Sequence, residues 1–443
     1  MKRLAWLLAT PILASSAWGA DLLQIYREAQ QNDAVFAAAR ATLEAGQEKL
    51  PQGRAGLLPT LGVTGNTQWN ENEISSRDGP KLGSPNFNSN GYTITLSQPL
   101  FRWQNWVAYG QSKWQVAQAE ANFLQARQDL ILRVAQAYFD ALYAIENLKA
   151  ARANKAAIGQ QLESAKKNFE VGTATITDSH EAQARYDLAA AQEIGAESDV
   201  EVKQRALQAI IGKEPGLLAP VRKDAEMKPP QPADMNQWVS SAESGAISVQ
   251  VQQAALEIAT REVDRQRAGH YPTVDLVANA GNSTTFGSIG LGQLDTDFQN
   301  VGIQFNLPIF QGMGVVSRQR EAAANRMAAE SNLEATRRNA ALAARQYYLG
   351  VVNGLAQVRA LRAALVSSQS ALESNKLGYE VGVRINIDVL NAENQVYVTR
   401  RDLAKAGLDT LIAQFRLKAA VGTLSEDDVI AVIALLDPAS TAQ

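Results

Sequence analysis

The 443-residue sequence contains no cysteine and only two histidines, His180 and His270. Without cysteine, no disulfide can stabilise the fold and no N-terminal cysteine can carry a lipid anchor. Glu181 follows His180, but no second histidine lies four residues on, which excludes the helical zinc-protease motif. His270 precedes a predicted strand and is interpreted as structural. We therefore expect no metal site and no cofactor.

Other catalytic motifs are also absent. Gly212-Lys213 lacks the preceding glycine and the following hydroxyl residue of a phosphate-binding loop. No Gly-x-Ser-x-Gly nucleophile elbow occurs. Carboxylates are spread along predicted helices, near arginines and lysines that would pair with them at the surface. The sequence therefore favours a protein that is not an enzyme.

Long apolar runs are missing after the N-terminus. The first residues have the form of a secretory leader: Lys2 and Arg3, an apolar run over 4–14, and small residues before a cleavage site that leaves Ala20 first. No later segment has 18 consecutive apolar residues, so no transmembrane helix is predicted. Losing two positive charges takes the formal net charge from −3 to about −5, which argues against a nucleic-acid partner.

What the sequence does contain is an approximate repeat. Residues 21–212 and 234–423 show the same order of motifs at an offset of 209 to 213 residues. The matching positions are Pro59 and Pro272, Pro99 and Pro308, Gly172 and Gly382, and Asp178 and Asp388. So long a period is not that of a solenoid and predicts an internally duplicated structural unit.

Each half is predicted to run helix, strand, loop, strand, long helix, tight turn, helix. The first helix is expected over about 21–54, with Asp21 as its N-cap. Its expected apolar face comprises Leu22, Ile25, Ala29, Val35 and Phe36.

Four segments alternate between apolar and polar residues with the period of a strand. Two flank a polar loop predicted at about 71–90, and two lie near 274–279 and 301–307. Such alternation fits a membrane β-barrel with apolar residues outside, and equally a soluble sheet with one wet face. Four strands cannot close a barrel, since bacterial barrels have at least about eight, so three chains would have to share twelve strands.

Aromatic residues flank these strands and fit interfacial belts, although such clusters also arise from ordinary packing. They are Trp69, Tyr92 and Phe298 at one end, and Tyr271, Phe101, Trp103 and Phe310 at the other.

Two uninterrupted helical patterns, over about 103–169 and 312–379, follow the strands. At about 1.5 Å per residue each would span about 100 Å and must pack along another helix. Turns at 171–173 and 381–383 then reverse the chain into return helices.

The two tips differ in a way that packing alone does not require. Tyr379 and Arg384 of the second tip replace Phe169 and Ala174 of the first. Their hydroxyl and guanidinium groups need partners, and Thr177 and Asp178 of the first tip offer acceptors. We predict hydrogen bonds that join the hairpins; the alternative is an exposed tip with ordinary polar residues.

These features together resemble the TolC family of outer-membrane efflux and type I secretion ducts, over about residues 20–430. The specific segments are Leu22 to Tyr26, Leu57 to Leu61, Ser97 to Phe101, Leu307 to Gln311 and Tyr379 to Leu390.

The resemblance implies an α+β membrane protein: a homotrimer with a 12-stranded outer-membrane β-barrel, four strands per chain, continuous with a long periplasmic α-helical barrel. It implies a passive exit duct for drugs or secreted proteins. Its implied partners are outer-membrane lipid, a periplasmic adaptor (membrane fusion) protein and an inner-membrane ABC or RND pump.

By the same resemblance, Thr177, Asp178, Tyr379 and Arg384 form a periplasmic gate. Asp388 and Asn391 occupy the constriction ring. The family has aspartate where this sequence has Asn391, so weaker cation selectivity is expected.

The predicted division of the chain is a signal peptide at 1–19, repeats at 20–212 and 234–423, an equatorial linker at 213–233 and an equatorial tail at 424–443. The rival interpretation from the residues is a pore-less periplasmic coiled-coil adaptor or scaffold, which would be a soluble monomer or dimer.

Overall fold

The computed structural model describes residues 20–75, 79, 81–83, 86–222, 225–286 and 292–437. The predicted leader at 1–19 and the last part of the predicted tail, residues 438–443, lie outside the described residues. The chain forms two compact units. Unit 1 contains residues 20–40, 124–247 and 338–437 of the described chain, and unit 2 contains residues 41–123 and 248–337.

Helices and strands alternate in blocks along the first half of the chain. In order they are α1 Leu22–Asn32, α2 Ala34–Gln47, α3 Lys49–Ala55, β1 Thr60–Glu71, β2 Ile74–Ser75, β3 Lys81–Gly83, β4 Asn86–Phe101, α4 Trp103–Glu170 and α5 Ile176–Ile211. The predicted long helix and return helix are both present. At 68 residues, α4 is about 100 Å long.

The second half has a similar order of elements, and its described residues contain no counterpart of the short β2–β3 pair. Its elements are α6 Met235–Gly245, α7 Ile247–Arg267, a 3₁₀ turn Ala268–His270, β5 Thr273–Phe286, β6 Gln293–Asn306, α8 Gly314–Glu380, α9 Asn386–Ala420 and α10 Glu426–Ile433. Among the described residues, α8 alone is long and apolar enough to cross a membrane, by length and composition only. A helix of an alanine-rich bundle meets the same criterion.

The predicted single helix over 21–54 is wrong, because Asp33 and Glu48 interrupt it and leave three helices. Asp21 caps α1 as predicted and accepts a 2.7 Å hydrogen bond from Gln24 N. Asp33 takes an extended backbone conformation, and its Oδ1 accepts a 2.6 Å bond from Phe36 N, which starts α2. The break changes the helical phase, so Val35 is 64% exposed although it was predicted on the buried face.

Asp33 also anchors this segment to α4. Its carboxylate, 4% exposed, accepts hydrogen bonds of 2.9 and 3.0 Å from the two terminal nitrogens of Arg133. Hydrogen bonding from Arg133 holds the pKa of Asp33 below its usual value. A buried carboxylate needs such a partner, since burial of an unpaired charge is costly.

The four long strands form one antiparallel sheet in the order β1-β4-β5-β6 within unit 2. The register pairs Leu61 with Leu96, Leu96 with Ala278, and Ala278 with Val301. β4 begins at Asn86, and β2 pairs with β3. The loop predicted over about 71–90 was therefore placed too broadly.

The two faces of the sheet differ in chemistry. One face carries the large apolar side chains of all four strands, and those of the outer strands are open: Val63 is 69% and Ile303 is 70% exposed. The opposite face carries a chain of hydrogen bonds across three strands. Thr95 donates to Asn279 at 2.8 Å, and Asn279 donates to Asn300 at 2.9 Å. An apolar face this exposed requires an apolar environment outside the single chain.

The core of unit 1 is built on one face of α4. Residues that recur at helical spacing are nearly completely buried, namely Leu130, Ile131, Val134, Ala135, Tyr138, Phe139 and Leu142. The Tyr138 hydroxyl donates to the carbonyl of Ala219 at 2.8 Å, which ties α4 to the segment between the halves.

The described parts of both connecting segments belong to unit 1. Ala20 forms a β-bridge with Leu218, and Val221 forms one with Leu436 of the C-terminal segment. The described residues of 213–233 contain no helix, as their five prolines predicted. The sequence did not predict α10, an eight-residue helix with a capping box at Ser425 and Asp428.

An Asp33→Asn substitution should lower the free energy of unfolding of unit 1 by about 2 kcal/mol at pH 7. Asparagine can still cap α2 but cannot form the charged bonds to Arg133. Because the folded pKa of Asp33 is lowered, its stabilising effect is complete above the unfolded value of about 3.9 and is lost as the pH falls through the folded pKa. Helix unfolding followed by circular dichroism measures both effects.

The control is Arg27→Gln, which breaks a pair with Glu426 in which the arginine side chain is 61% exposed. This change should cost less than about 1 kcal/mol. Equal losses for the two variants, or a difference between Asp33→Asn and the parent that persists below the folded pKa, would contradict the role assigned to Asp33.

Candidate functional site

Both helical hairpins end in the same turn. Gly172 and Gly382 each have a φ of +77°, the left-handed conformation that favours glycine. The residue after each glycine donates a 2.8 Å backbone hydrogen bond to the carbonyl five residues earlier. This is the Schellman arrangement, and it reverses the chain at the two predicted positions.

The first tip is closed by its own side chains. Thr175 caps α5, and Asp178 Oδ2 accepts hydrogen bonds of 3.0 Å from the Thr175 amide and 2.9 Å from the Thr175 hydroxyl. This capping box occupies part of the carboxylate that was predicted to bond to the second tip. Thr177 lies in the first turn of α5 and is exposed.

The second tip leaves its aspartate available. Ile385 replaces Thr175 at the cap and provides no side-chain hydrogen bond to α9. Asp388 instead pairs with Arg384, with 3.7 Å between Nη1 and Oδ2. A Cβ added to Gly378 would lie 2.7 Å from Arg384 Cγ, so glycine at this position makes room for the arginine.

Hydrogen bonds join the two hairpins near their tips within one chain. Asn168 donates to the Tyr379 hydroxyl at 3.1 Å, and Arg185 donates to Asn391 Oδ1 at 3.1 Å. Gln161 donates to Asn386 Oδ1. The two hairpins of one chain are thus tied together near their tips.

The partners differ from those predicted from the sequence. Within the described residues of a single chain, the structure does not bring Tyr379 or Arg384 into hydrogen bonds with Thr177 or Asp178. Bonds of that kind between neighbouring chains stay a prediction. The sequence reasoning missed Asn168, Gln161 and Arg185, because no local pattern shows a contact across more than 200 residues.

An apolar contact lies between the same hairpins. Leu390, 1% exposed, packs with Ile158 and Leu162 of α4 and Ala182 of α5. Two polar atoms at this end of the hairpins, Ser179 Oγ and Asn386 Nδ2, are buried without a hydrogen-bond partner. Buried polar atoms are usually paired, so the hairpins meet here with unused hydrogen-bonding capacity.

A polar cavity of about 370 Å³ lies along α8 and α9 at the second tip. Arg384, Asp388 and Asn391 share its lining with Ser368, Asn375 and Gln395. Asp388 and Asn391 are three residues apart on α9 and so lie on one face of the helix. Among the described residues, no group of histidine and acidic side chains could hold a metal ion.

Comparison with known proteins identifies the family. The family model described as outer membrane efflux protein matches residues 25–213 and 238–423. The chain belongs to the outer membrane efflux protein family. Members of this family are transport conduits and not enzymes.

Two relatives match almost the full length. Outer membrane protein TolC of Vibrio cholerae serotype O1 is 32% identical over 423 residues, which cover 95% of this chain and 94% of the relative. Proteases secretion protein PrtF of Dickeya chrysanthemi is 32% identical over 442 residues, which cover 98% and 95%.

Solved channel structures share the fold. The outer membrane channel CmeC of Campylobacter jejuni has a TM-score of 0.80 at 18% identity, covering 93% of this chain and 88% of CmeC. The outer membrane protein VceC of Vibrio cholerae has a TM-score of 0.73 at 21% identity, covering 90% and 96%. The protein is an outer-membrane exit duct for efflux or type I secretion, and it extends into the periplasm.

A Thr175→Val substitution should loosen the first tip, because valine keeps the shape of threonine but cannot form the capping box. Loss of such a cap costs about 1 kcal/mol. Amide hydrogens in the first turn of α5 should therefore exchange about fivefold faster. Thr175→Ser is the matched control, since serine keeps the hydroxyl. Equal exchange in Thr175→Val and the parent would show that the capping box does not hold the tip.

Proposed function

We propose that three copies of the chain form one duct, with four strands from each chain closing a 12-stranded barrel in the outer membrane. The sheet carries this proposal. Within the described residues β1 and β6 each pair on one side only, and four strands are too few to close a barrel. Closure with two further copies would pair both edges and remove an aggregation-prone template.

The different chemistry of its two faces supports an orientation of the sheet with one face toward lipid and the other toward the lumen. The face with Leu61, Val63, Val301, Ile303 and Phe305 would contact lipid, since these side chains are open in the single chain. The face with the Thr95–Asn279–Asn300 hydrogen bonds would line a water-filled lumen. A soluble scaffold would have no apolar solvent for the first face, and this disfavours the pore-less alternative.

The long helices would form the periplasmic part of the duct. α4 and α8 contain 68 and 67 residues, and so each is about 100 Å long. Three chains would contribute their α4–α5 and α8–α9 hairpins to one helical barrel. The two halves of the chain, 20–212 and 234–423, would be copies of one unit in equivalent places around it.

The hairpin tips would gate the duct. Tyr379 and Arg384 would hold the second hairpin closed, with Thr177 and Asp178 of a neighbouring chain as further acceptors. Within a chain, Asn168 and Asp388 already bond to the same two side chains. Opening would be a shift between two populations, biased by a ligand or partner that binds the open form better.

The duct would be passive and would depend on partners for energy. A periplasmic adaptor protein and an inner-membrane ABC or RND pump are the partners that the family membership supports. The segments 213–233 and 424–443 would form an equatorial belt around the duct. The relative PrtF is a proteases secretion protein, and the family is one of efflux proteins. The cargo would therefore be either secreted proteins or drugs.

The gate is tested by single-channel conductance in planar bilayers. A double variant, Tyr379→Phe with Arg384→Ser, removes the hydroxyl bonded to Asn168 and the cation paired with Asp388. We expect a small conductance in the parent protein and a conductance at least about threefold larger in the double variant, since the population shifts toward open.

A matched control makes the same types of change elsewhere in α8, with Tyr347→Phe and Arg345→Ser. Its conductance should equal that of the parent. Equal conductance in the parent and the tip variant would reject the gate, and absence of conductance in all three proteins would reject the duct itself.

A further inference from the structure

Arg185 is a side chain of the first hairpin that reaches Asn391, which together with Asp388 would form the constriction of the proposed duct. It lies on α5, seven residues or about 10 Å beyond Asp178. Its Nη2 donates a 3.1 Å hydrogen bond to Oδ1 of Asn391 on α9. Asn391 in turn lines the same polar cavity as Asp388 and Arg384.

The position of Asn391 is fixed by its neighbours on α9. Leu390 is buried against the first hairpin, and Asn386, 3% exposed, accepts a hydrogen bond from Gln161 of α4. These contacts dock the first turns of α9 on the first hairpin. The bond from Arg185 therefore joins two elements that are already packed together, and its guanidinium is held at a defined place.

The charge of Arg185 is not cancelled at that place. Within the described residues, no carboxylate lies within ion-pair distance of its guanidinium, and Asn391 is neutral. Arg384 adds a second guanidinium, and Asp388 is the one carboxylate among the residues that line the cavity. Together with Arg185 these two side chains carry a formal charge of +1 in each chain, and Asp178 would offset it only where the closed gate brings its carboxylate to Arg384 of a neighbouring chain.

The neutral amide of Asn391 explains why the charge of Arg185 stays unpaired. An aspartate there would also accept the hydrogen bond from Arg185, but as an ion pair that neutralises it. The asparagine oxygen holds the guanidinium in place and leaves its charge unpaired. Rings of carboxylates favour cations in pores, whereas rings of arginine or lysine favour anions.

We infer that Arg185, held by Asn391, sets the ion and cargo preference of this duct: its entrance does not favour cations and admits anionic solutes. The inference rests on the proposed function, because it requires three copies of the group to surround one path. The lack of an aspartate at position 391 only removes a negative charge. The inference adds a positive charge, which it assigns to Arg185 of the first hairpin.

The test is the ratio of potassium to chloride permeability, measured from reversal potentials of the full-length protein in bilayers under a KCl gradient. The parent should have a ratio of about one or below. Arg185→Gln should raise it at least about twofold, since Coulomb's law gives about that factor for one unit charge acting across ~8 Å of water. Asn391→Asp should raise it similarly, and the double variant should be the most cation-selective.

Arg205→Gln is the matched control, because Arg205 lies on the same helix about 30 Å further from the tip and has its own partner, Glu214. It should leave the ratio unchanged. Channels that form normally but show the same ratio in the parent and in Arg185→Gln would overturn the role of Arg185 alone. Absence of channels in every protein would overturn the duct as well as this inference.

Discussion

An antiparallel sheet with two open edges and an exposed apolar face is the constraint on which the rest of the structure depends. The order β1-β4-β5-β6 leaves both outer strands with one neighbour in the described chain. Val301, 74% exposed, and its neighbours on the same face cannot be covered by the short β2–β3 pair. In the duct that we propose, lipid and further copies of the chain would solve both problems together, because lipid would cover the apolar face while strand pairing would close the edges.

Small differences in sequence give the tips of the two similar hairpins different side-chain contacts. Thr175 binds Asp178 at the first tip, whereas Ile385 leaves Asp388 to pair with Arg384 at the second. Gly378 provides the space that Arg384 occupies. The first hairpin thus becomes a self-capped support, and the second presents the polar groups that we place in the gate and the constriction.

Much of the fold could be predicted from the sequence because its signals are periodic and long. The uninterrupted helical patterns placed the long helices within a few residues of their observed bounds. Strand alternation located β5 and β6 but not their full length, since each extends seven or eight residues beyond the predicted segment. The break at Asp33 was missed because the apolar spacing continues across it. The cap that Asp33 provides for Phe36 and its bonds to Arg133, a hundred residues away, show why the chain turns there.

The candidate site was predictable only in part. A threonine three residues before an aspartate is a readable capping signal, so the role of Thr175 could have been found in the sequence. The bonds of Asn168, Gln161 and Arg185 to the second hairpin could not, since they depend on how two hairpins pack. Sequence comparison of the two tips singled out Tyr379 and Arg384, but the three-dimensional contacts were needed to name their partners within the chain, Asn168 and Asp388.

The orientation of the sheet is tested most directly by cysteine labelling, because the chain has no cysteine of its own. Single cysteines would be placed along β6 at Val301, Gly302, Ile303, Gln304 and Phe305 and treated with a membrane-impermeant maleimide in outer-membrane vesicles. We expect labelling at 302 and 304 and protection at 301, 303 and 305, the period of two that lipid on one face and water on the other impose. Labelling of all five positions would show that both faces meet water and would contradict a membrane barrel.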